Sequence, residues 1–342
     1  MVGEADSPMA TPGQPPLGAA VLAKARAMGH TGGFPAPAPS RAPMDPLSRP
    51  YKLPGGTLYY KKVAPSFNGT VFIAPTRGEQ EIILAGTGDQ PQAKLAALRH
   101  VMRQVCVMPE LDPGEMVLED WMAASLHMLA MSAGHDELDL RPVCPIVRCK
   151  RQFEPDPKLH LTTLPCILAR EAQPGEESNW PPSTDESTEE KVAREMELEK
   201  QGAVIDRVYS SKTGDEGFET KLGDGTVVRW RKLRMKHVEE AEEFSARVQD
   251  NEAEKPGTKL NAYLTAQHIE AINGKRTSMV QALAWYRKEP SNFLDELRFA
   301  FERMSYGYRM APRFRCPHCG GSFRQTLPLH GGLFRRRLAD AS

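Results

Sequence analysis

Apolar and polar positions change their spacing in the same order in both halves of this chain of 342 residues. In the first half, the pattern predicts strands at residues 57–62 and 70–74, and Asn68-Gly69 indicates the turn of a hairpin between them. After this hairpin, apolar residues recur at steps of three and four, which predicts helices. The three predicted helices are 77–85, 92–105 and 115–132.

The second half repeats this order around Asp224-Gly225, a dipeptide that favours a tight hairpin turn. The predicted elements are strands 217–222 and 226–233 and helices 236–249, 260–272 and 277–301. Pro290 is expected to break the last helix, with Ser291 as the N-cap of its second part. The whole pattern predicts an α+β fold made of two duplicated hairpin-plus-helices modules.

Composition divides the chain into five segments. The N-terminal segment is crowded with proline, glycine and alanine, so it cannot bury enough apolar surface to offset its ordering entropy. The segment between the modules is rich in acidic residues and includes a charged helical pattern at 188–201. The predicted segments are a disordered arm (1–50), a first module (51–165), a partly helical acidic linker (166–203), a second module (204–337) and a tail (338–342).

Each module ends in the same pattern of cysteine, proline, cysteine, phenylalanine and histidine. The copies are Cys144, Pro145, Cys149, Phe153 and His160, and Cys316, Pro317, Cys319, Phe323 and His330. Two cysteines separated by two to four residues can turn both sulfurs towards one ion, and an all-thiolate zinc site needs two such pairs. The pattern predicts zinc-knuckle-like pairs that share one structural zinc. The expected ligands are Cys144, Cys149, Cys316 and Cys319.

The second pair is the stronger half of this predicted site, because Pro317 restricts the turn and Gly320 permits a left-handed conformation after the last ligand. Lys150 stands where the first pair would need its glycine, so the first turn is expected to differ. Two alternatives remain open: the cysteines are free buried thiols, or a histidine replaces a thiolate. The candidate histidines are His160, His318 and His330, whereas Cys106 and Cys166 read as small core residues.

Charge and cysteine usage narrow the function classes. The chain has 44 basic and 44 acidic residues, so it lacks the basic excess of a protein that coats nucleic acid. Six cysteines without a secretory leader fit a reducing cytoplasm, and the apolar stretch 121–131 is too short to span a bilayer. We find no phosphate-binding loop, zinc-protease motif or nucleophile elbow, and we therefore expect no enzymatic activity.

A rival hypothesis is a zinc-ribbon protein that binds nucleic acid through the basic run at residues 229–236. This run has arginine or lysine at five positions and places Trp230 among them, where basic groups could grip phosphate and the indole could stack on a base. The competing interpretation is a half-buried strand, because alternate residues would face opposite sides. A third hypothesis, a metalloenzyme, would need three protein ligands and a bound water.

Several short motifs resemble the T-even-type baseplate hub and tail assembly proteins of tailed phages. The second half carries Asp224-Gly225, Ser305-Tyr306-Gly307, Cys316 to Cys319, Leu329 and Phe334; the first carries Leu53-Pro54-Gly55-Gly56, Tyr60 and Asp120-Trp121. The resemblance implies a non-enzymatic structural or assembly protein whose partners are other phage tail and baseplate proteins. It also implies a place in the host cytoplasm during assembly, with the virion tail as a further place compatible with the resemblance. Membrane and nucleic-acid partners are not expected.

Overall fold

The computed structural model describes residues 45–86, 91–138, 140, 142–154, 157–177, 204–209, 217–247 and 256–327. Within these residues the fold mixes helices with several small sheets, which confirms the predicted α+β class. The predicted arm as far as residue 44, the linker helix at 188–201 and the C-terminal tail lie outside the described residues.

The described residues form seven α-helices and fourteen strands. The helices are α1 (Gly78–Ala85), α2 (Pro91–Val105), α3 (Leu118–Ala133), α4 (Met235–Arg247), α5 (Pro256–His268), α6 (Met279–Tyr286) and α7 (Ser291–Arg303). The strands are β1 (Arg49–Lys52), β2 (Thr70–Ile73), β3 (Cys106–Val107), β4 (Glu137–Leu138), β5 (Leu159–His160), β6 (Cys166–Glu171), β7 (Val204–Tyr209), β8 (Phe218–Lys221), β9 (Val227–Trp230), β10 (Ile269–Ile272), β11 (Lys275–Arg276), β12 (Gly307–Tyr308), β13 (Arg313–Arg315) and β14 (Ser322–Arg324).

Two antiparallel sheets have the same strand order. In the first half β1 pairs with β2, two helices follow, and β3 returns to pair with β2. In the second half β8 pairs with β9, two helices follow, and β10 returns to pair with β9. The second sheet then adds β11 beside β10. The halves therefore share one order of strands and helices up to this point.

The turn between β8 and β9 shows why local sequence predicts this hairpin well. Gly225 has a φ of +88°, a conformation that favours glycine, and the Asp224 carboxylate accepts hydrogen bonds from the Thr226 amide and hydroxyl, each 2.8 Å long. Along β9, Val228 and Trp230 are buried while Arg229 between them is exposed. The predicted hairpin and its half-buried second strand are confirmed.

The predicted strand at 57–62 is wrong. Its backbone forms successive turns, in which the Tyr60 amide bonds to the Thr57 carbonyl and the Val63 amide to the Tyr60 carbonyl. Leu58, Tyr59 and Tyr60 are all buried, and three buried neighbours in sequence cannot share one face of a strand. The partner of β2 is instead β1, whose first two residues fall within the predicted arm.

Two helix predictions need correction at their ends. The pattern at 260–272 predicts a single helix, but the helix ends at His268 and the next four residues form β10, where Ile269 and Ala271 are buried against β9. Pro290 does interrupt the last predicted helix. The N-cap of α7 is Pro290 itself, whose carbonyl accepts bonds from the Phe293 and Leu294 amides.

The first six residues of the predicted linker form a strand that joins the two halves. In β6, Cys166, Ile167 and Ala169 are buried, which explains why this stretch packs as core. β6 pairs in parallel with β7 on one side and antiparallel with β12 on the other. Buried residues from both halves form one continuous hydrophobic cluster. The two predicted modules therefore pack against each other through a shared sheet and core.

A buried carboxylate lies at the contact between the halves. Asp120 on α3 has no exposed surface and accepts hydrogen bonds from the Gly55 amide (2.7 Å), the Tyr60 hydroxyl (2.6 Å) and the Tyr306 hydroxyl (2.9 Å). The Tyr306 ring stacks on Tyr59 with 5.3 Å between ring centroids. We call Gly55, Tyr60, Asp120 and Tyr306 the Asp120 hub. It joins three chain segments that are distant in sequence.

Position 55 of the hub requires glycine. A Cβ atom on Gly55 would lie 2.6 Å from an Asp120 carboxylate oxygen and 2.6 Å from the Tyr306 hydroxyl oxygen. Burial raises the pKa of the Asp120 carboxyl to about 6, although the three hydrogen bonds act to lower it. The protonated form is therefore favoured in the folded protein more than in the unfolded chain.

We expect Asp120→Asn to remove part of the pH dependence of folding. The pKa of this carboxyl is about 6 in the folded protein against an ordinary value of 3.8, so its contribution to stability is complete at low pH and is lost as the pH rises through about 6. The free energy of unfolding of the wild type, measured relative to the variant, should fall by about 1 kcal/mol between about pH 5 and pH 7. Urea denaturation at both pH values measures this change.

Asp224→Asn is the matched control. Hydrogen bonds from the Thr226 amide and hydroxyl lower the pKa of the Asp224 carboxyl, so this group stays ionised in both states across the same pH range. Its variant should differ from wild type by a constant amount. A constant difference for Asp120→Asn as well would contradict a raised pKa at Asp120.

Candidate metal centre

The second cysteine loop, residues 309–327, is a hairpin with two cysteines at its turn. β13 and β14 form its arms, and the Cys316 amide bonds to the Gly321 carbonyl at 2.8 Å. The Gly320 amide closes the turn onto the Cys316 carbonyl at 2.9 Å. Gly320 has a φ of +72°, the left-handed conformation that its sequence position predicts.

The first cysteine loop, residues 142–154, follows the same plan with a longer turn. A bridge between Val143 and Gln152 aligns its arms, and the Cys144 amide bonds to the Arg151 carbonyl at 3.0 Å. Lys150 follows the second cysteine and has a φ of +47°. The turn differs in length, as expected, but Lys150 adopts the same left-handed region as the corresponding glycine of the second loop.

The two loops bring all four predicted ligands together. Their sulfur atoms lie within 4.8 Å of one another, with 3.7 Å between the sulfurs of Cys144 and Cys319 and 3.7 Å between those of Cys149 and Cys316. Four sulfurs about 2.3 Å from one zinc ion at tetrahedral angles lie about 3.8 Å apart. A disulfide needs a separation of about 2.05 Å, and all four cysteines are free. The donor set therefore fits one tetrahedral metal ion.

Backbone amides point at the sulfur atoms of both loops. Burial raises the pKa of the Cys316 thiol, but hydrogen bonds from the Cys319 and His318 amides and from neighbouring thiols outweigh it and lower this pKa to about 6. At Cys144 burial dominates and raises the thiol pKa to about 12, against an opposing hydrogen bond from the Ile146 amide. Amides directed at sulfur stabilise thiolates, which are the form that binds metal.

Three phenylalanine rings support the loops beneath the cysteines. Phe153 and Phe323, which occupy equivalent places in the sequence repeat, meet edge to face with 5.8 Å between ring centroids. Phe314 packs against both, at 6.1 Å from Phe153 and 6.0 Å from Phe323. The His318 ring, 3.1 Å from the Gln152 carbonyl, adds a polar contact between the loops. The repeated phenylalanines thus help to hold the two loops together.

The histidine alternatives are not supported in the described residues. The His160 ring lies 2.9 Å from the Asp136 carboxylate, and the His318 ring faces a backbone carbonyl. Neither belongs to the cysteine cluster, and His330 lies outside the described residues. Cys106 and Cys166 are buried away from the cluster, which confirms the prediction that they are core residues.

Burial removes the base-stacking role suggested for Trp230. Its side chain is 1% exposed, stacks on Phe218 and donates its indole N–H to the Thr220 hydroxyl at 3.0 Å. Lys232 is also buried and donates to the Glu119 carboxylate (2.6 Å) and to the Met304 carbonyl (2.5 Å). The basic run is therefore a half-buried strand and its continuation, with Trp230 and Lys232 in the interior.

The Asp120 hub was missed by sequence reasoning. Its residues are spread across both halves, and no spacing marks Asp120 among the 44 acidic residues of the chain. A cleft of about 730 Å³ beside α3 is lined by Glu119 and Tyr306 but not by Asp120. The carboxyl with the raised pKa is therefore closed off from this cleft, and its role is to join chain segments.

Comparisons of the chain with protein families, with curated proteins and with solved structures found no match. Across the described residues, no helix combines the length and the apolar character needed to cross a membrane.

We expect Gly320→Ala to lower the free energy of unfolding by about 1 kcal/mol, because an L side chain is strained at a φ of +72°. Open space surrounds the position of the new Cβ atom, so the loss reports backbone strain alone. The midpoint of urea denaturation measures it. Lys150→Gly is the reciprocal control and should leave stability unchanged or raise it; equal destabilisation by both variants would contradict the shared left-handed turn.

Proposed function

We propose that this chain is a non-enzymatic structural protein in which one zinc ion clamps the two cysteine loops. The ligands are Cys144, Cys149, Cys316 and Cys319. The observation that carries the proposal is the 3.7 Å separation between sulfurs of opposite loops, which matches a tetrahedral thiolate site. Each short separation joins a residue of one loop to a residue of the other, so the site needs both halves.

Coordination by four thiolates makes the metal structural. A catalytic zinc keeps a position for water or substrate, whereas four protein sulfurs complete the tetrahedron. The ion would close a long loop between Cys144 and Cys319 and so oppose unfolding, and its binding free energy would add to that of folding. The packed phenylalanines beneath the sulfurs would hold the ligands in place.

The shared order of strands and helices supports a duplicated module. Each half has a strand pair, two helices, a returning strand and a later cysteine loop with an equivalent phenylalanine. Two copies that each carry half of a metal site would stay together once the ion joins them. We propose that the protein arose in this way.

For its biological role we propose a component or assembly helper of a phage tail baseplate. The resemblance to baseplate hub and tail assembly proteins motivates this role. Its support is that residues of the resembling motifs in both halves, Gly55, Tyr60, Asp120 and Tyr306, form a buried hub. Such residues build a scaffold, and a rigid scaffold suits a protein that presents surfaces to other tail proteins.

Native mass spectrometry of the purified, reduced protein tests the clamp. We expect one zinc ion per chain, and we expect Cys144→Ser and Cys316→Ser each to lose it, because each removes one of four ligands from opposite loops. Cys106→Ser is the matched control, since it alters a buried thiol outside the cluster and should keep the metal.

Two outcomes would contradict the proposal. A metal-free wild type would leave the cysteines as free thiols. Turnover of a small substrate that depends on the cysteines would instead indicate a catalytic metal.

A further inference from the structure

Positive charge is concentrated in the two cysteine loops. Residues 142–154 and 309–327 contain seven basic residues and one acidic residue, whereas the whole chain has 44 of each kind. The basic residues are Arg148, Lys150, Arg151, Arg309, Arg313, Arg315 and Arg324, and the acidic residue is Glu154. All of these cations except Arg309 are exposed. We call the six exposed cations the cysteine-loop surface.

Several of these cations have no carboxylate beside them. None of the ion pairs found among the described residues includes Arg148, Lys150, Arg151 or Arg315. Elsewhere basic side chains do find partners, as in the bidentate pair between Arg170 and Glu176. Within the described residues, these four cations of the cysteine-loop surface are therefore not balanced by carboxylates.

The pairing of β13 with β14 places like charges opposite each other. Arg313 and Arg324 are register partners in this antiparallel pair, and both are exposed. Register partners lie side by side on the same face of a strand pair, so these two arginines add to the positive charge of the cysteine-loop surface.

The backbone conformation of Lys150 is a second, independent indication that the positive charge of the cysteine-loop surface has a function. Its φ of +47° would suit glycine, which stands at the equivalent place in the second loop. A lysine there costs about 1–2 kcal/mol of backbone strain. Strained residues cluster at functional sites, and here the strained residue adds an exposed cation beside two arginines.

We propose that the cysteine-loop surface binds the phosphodiester backbone of nucleic acid. Five of its six cations are arginines, whose planar forks match phosphate oxygens, and both loops contribute. Phe153 and Phe314 are buried and Phe323 is half-buried, so the loops offer no exposed phenylalanine ring for base stacking. Binding through phosphates is insensitive to sequence. This inference goes beyond the proposed function, because a structural metal is compatible both with binding to nucleic acid and with its absence.

The probe is a fluorescently labelled DNA duplex of about 20 base pairs, titrated with the full zinc-loaded chain at about 50 to 200 mM salt. We expect an anisotropy increase and a binding constant that falls with salt. A logarithmic slope of about −4 to −5 corresponds to about five phosphate contacts. Anionic phospholipid vesicles are the parallel probe, because Val147 in the first loop is 80% exposed and could enter a bilayer.

Lys150→Gly is the sharpest variant because it removes the charge and relieves the backbone. The protein should keep its stability and its zinc, while the salt slope falls by about 1. Arg148→Gln with Arg151→Gln should lower the slope by about 2. Lys150→Arg retains the charge and should bind like the wild type. Lys221→Gln, an exposed cation on β8 outside both loops, is the control and should change nothing.

Failure to bind the duplex at about 50 mM salt would overturn the inference. So would binding that the cysteine-loop variants leave unchanged, or binding to the vesicles alone. Zinc content measured on the same samples separates the two proposals. A chain that holds zinc without binding DNA overturns this inference only.

Discussion

Asp120 places a carboxylate where no water reaches it, and such a group is tolerated only if hydrogen-bond donors surround it. Three donors do so, and they come from the turn at Gly55, from Tyr60 and from Tyr306 in the other half of the chain. Removing any one would leave a buried acceptor poorly satisfied, which costs about 1–3 kcal/mol. The approach of the two halves is therefore dictated by a polar group as well as by apolar packing.

The hub also sets the position from which both cysteine loops begin. α3 carries Asp120 and leads towards the first loop, while Tyr306 directly precedes β12, which leads towards the second. β12 pairs with β6, so the segment after Tyr306 is held against the first half before the chain reaches Cys316. The four sulfurs thus meet because the chain is already anchored next to each loop.

Neutral overall charge hides an uneven distribution. In the interior, Lys232 is matched by Glu119, and Arg234 lies over the Tyr60 ring while donating to the Tyr59 and Glu115 carbonyls. Around the cysteines, four exposed cations take part in no ion pair among the described residues: Arg148, Lys150, Arg151 and Arg315. The net charge of the whole chain combines the charged residues of the interior with those around the cysteines. It therefore predicts little about which surface can attract a polyanion.

Features set by neighbours in sequence were predictable. The hairpin at Asp224-Gly225, the helix break at Pro290 and the spacing of each cysteine pair depend on local backbone preferences and on side-chain period. The matching cysteine spacings also identified the four side chains that the fold brings together. The left-handed Lys150 was not predictable, because lysine has no preference for that conformation.

Contacts between residues distant in sequence decided the features that local sequence did not predict. The sequence alone determined the α+β class, most helices and the four cysteines that could hold a metal ion, because each depends on residues within a short window of the chain. Only the tertiary structure decided that residues 57–62 are turns, that Cys166–Glu171 joins the two halves as a strand, and that Asp120 is buried beneath Tyr306. The physical reason is that strand partners and hydrogen-bond donors to a buried group come from residues far away in sequence, which no local pattern records.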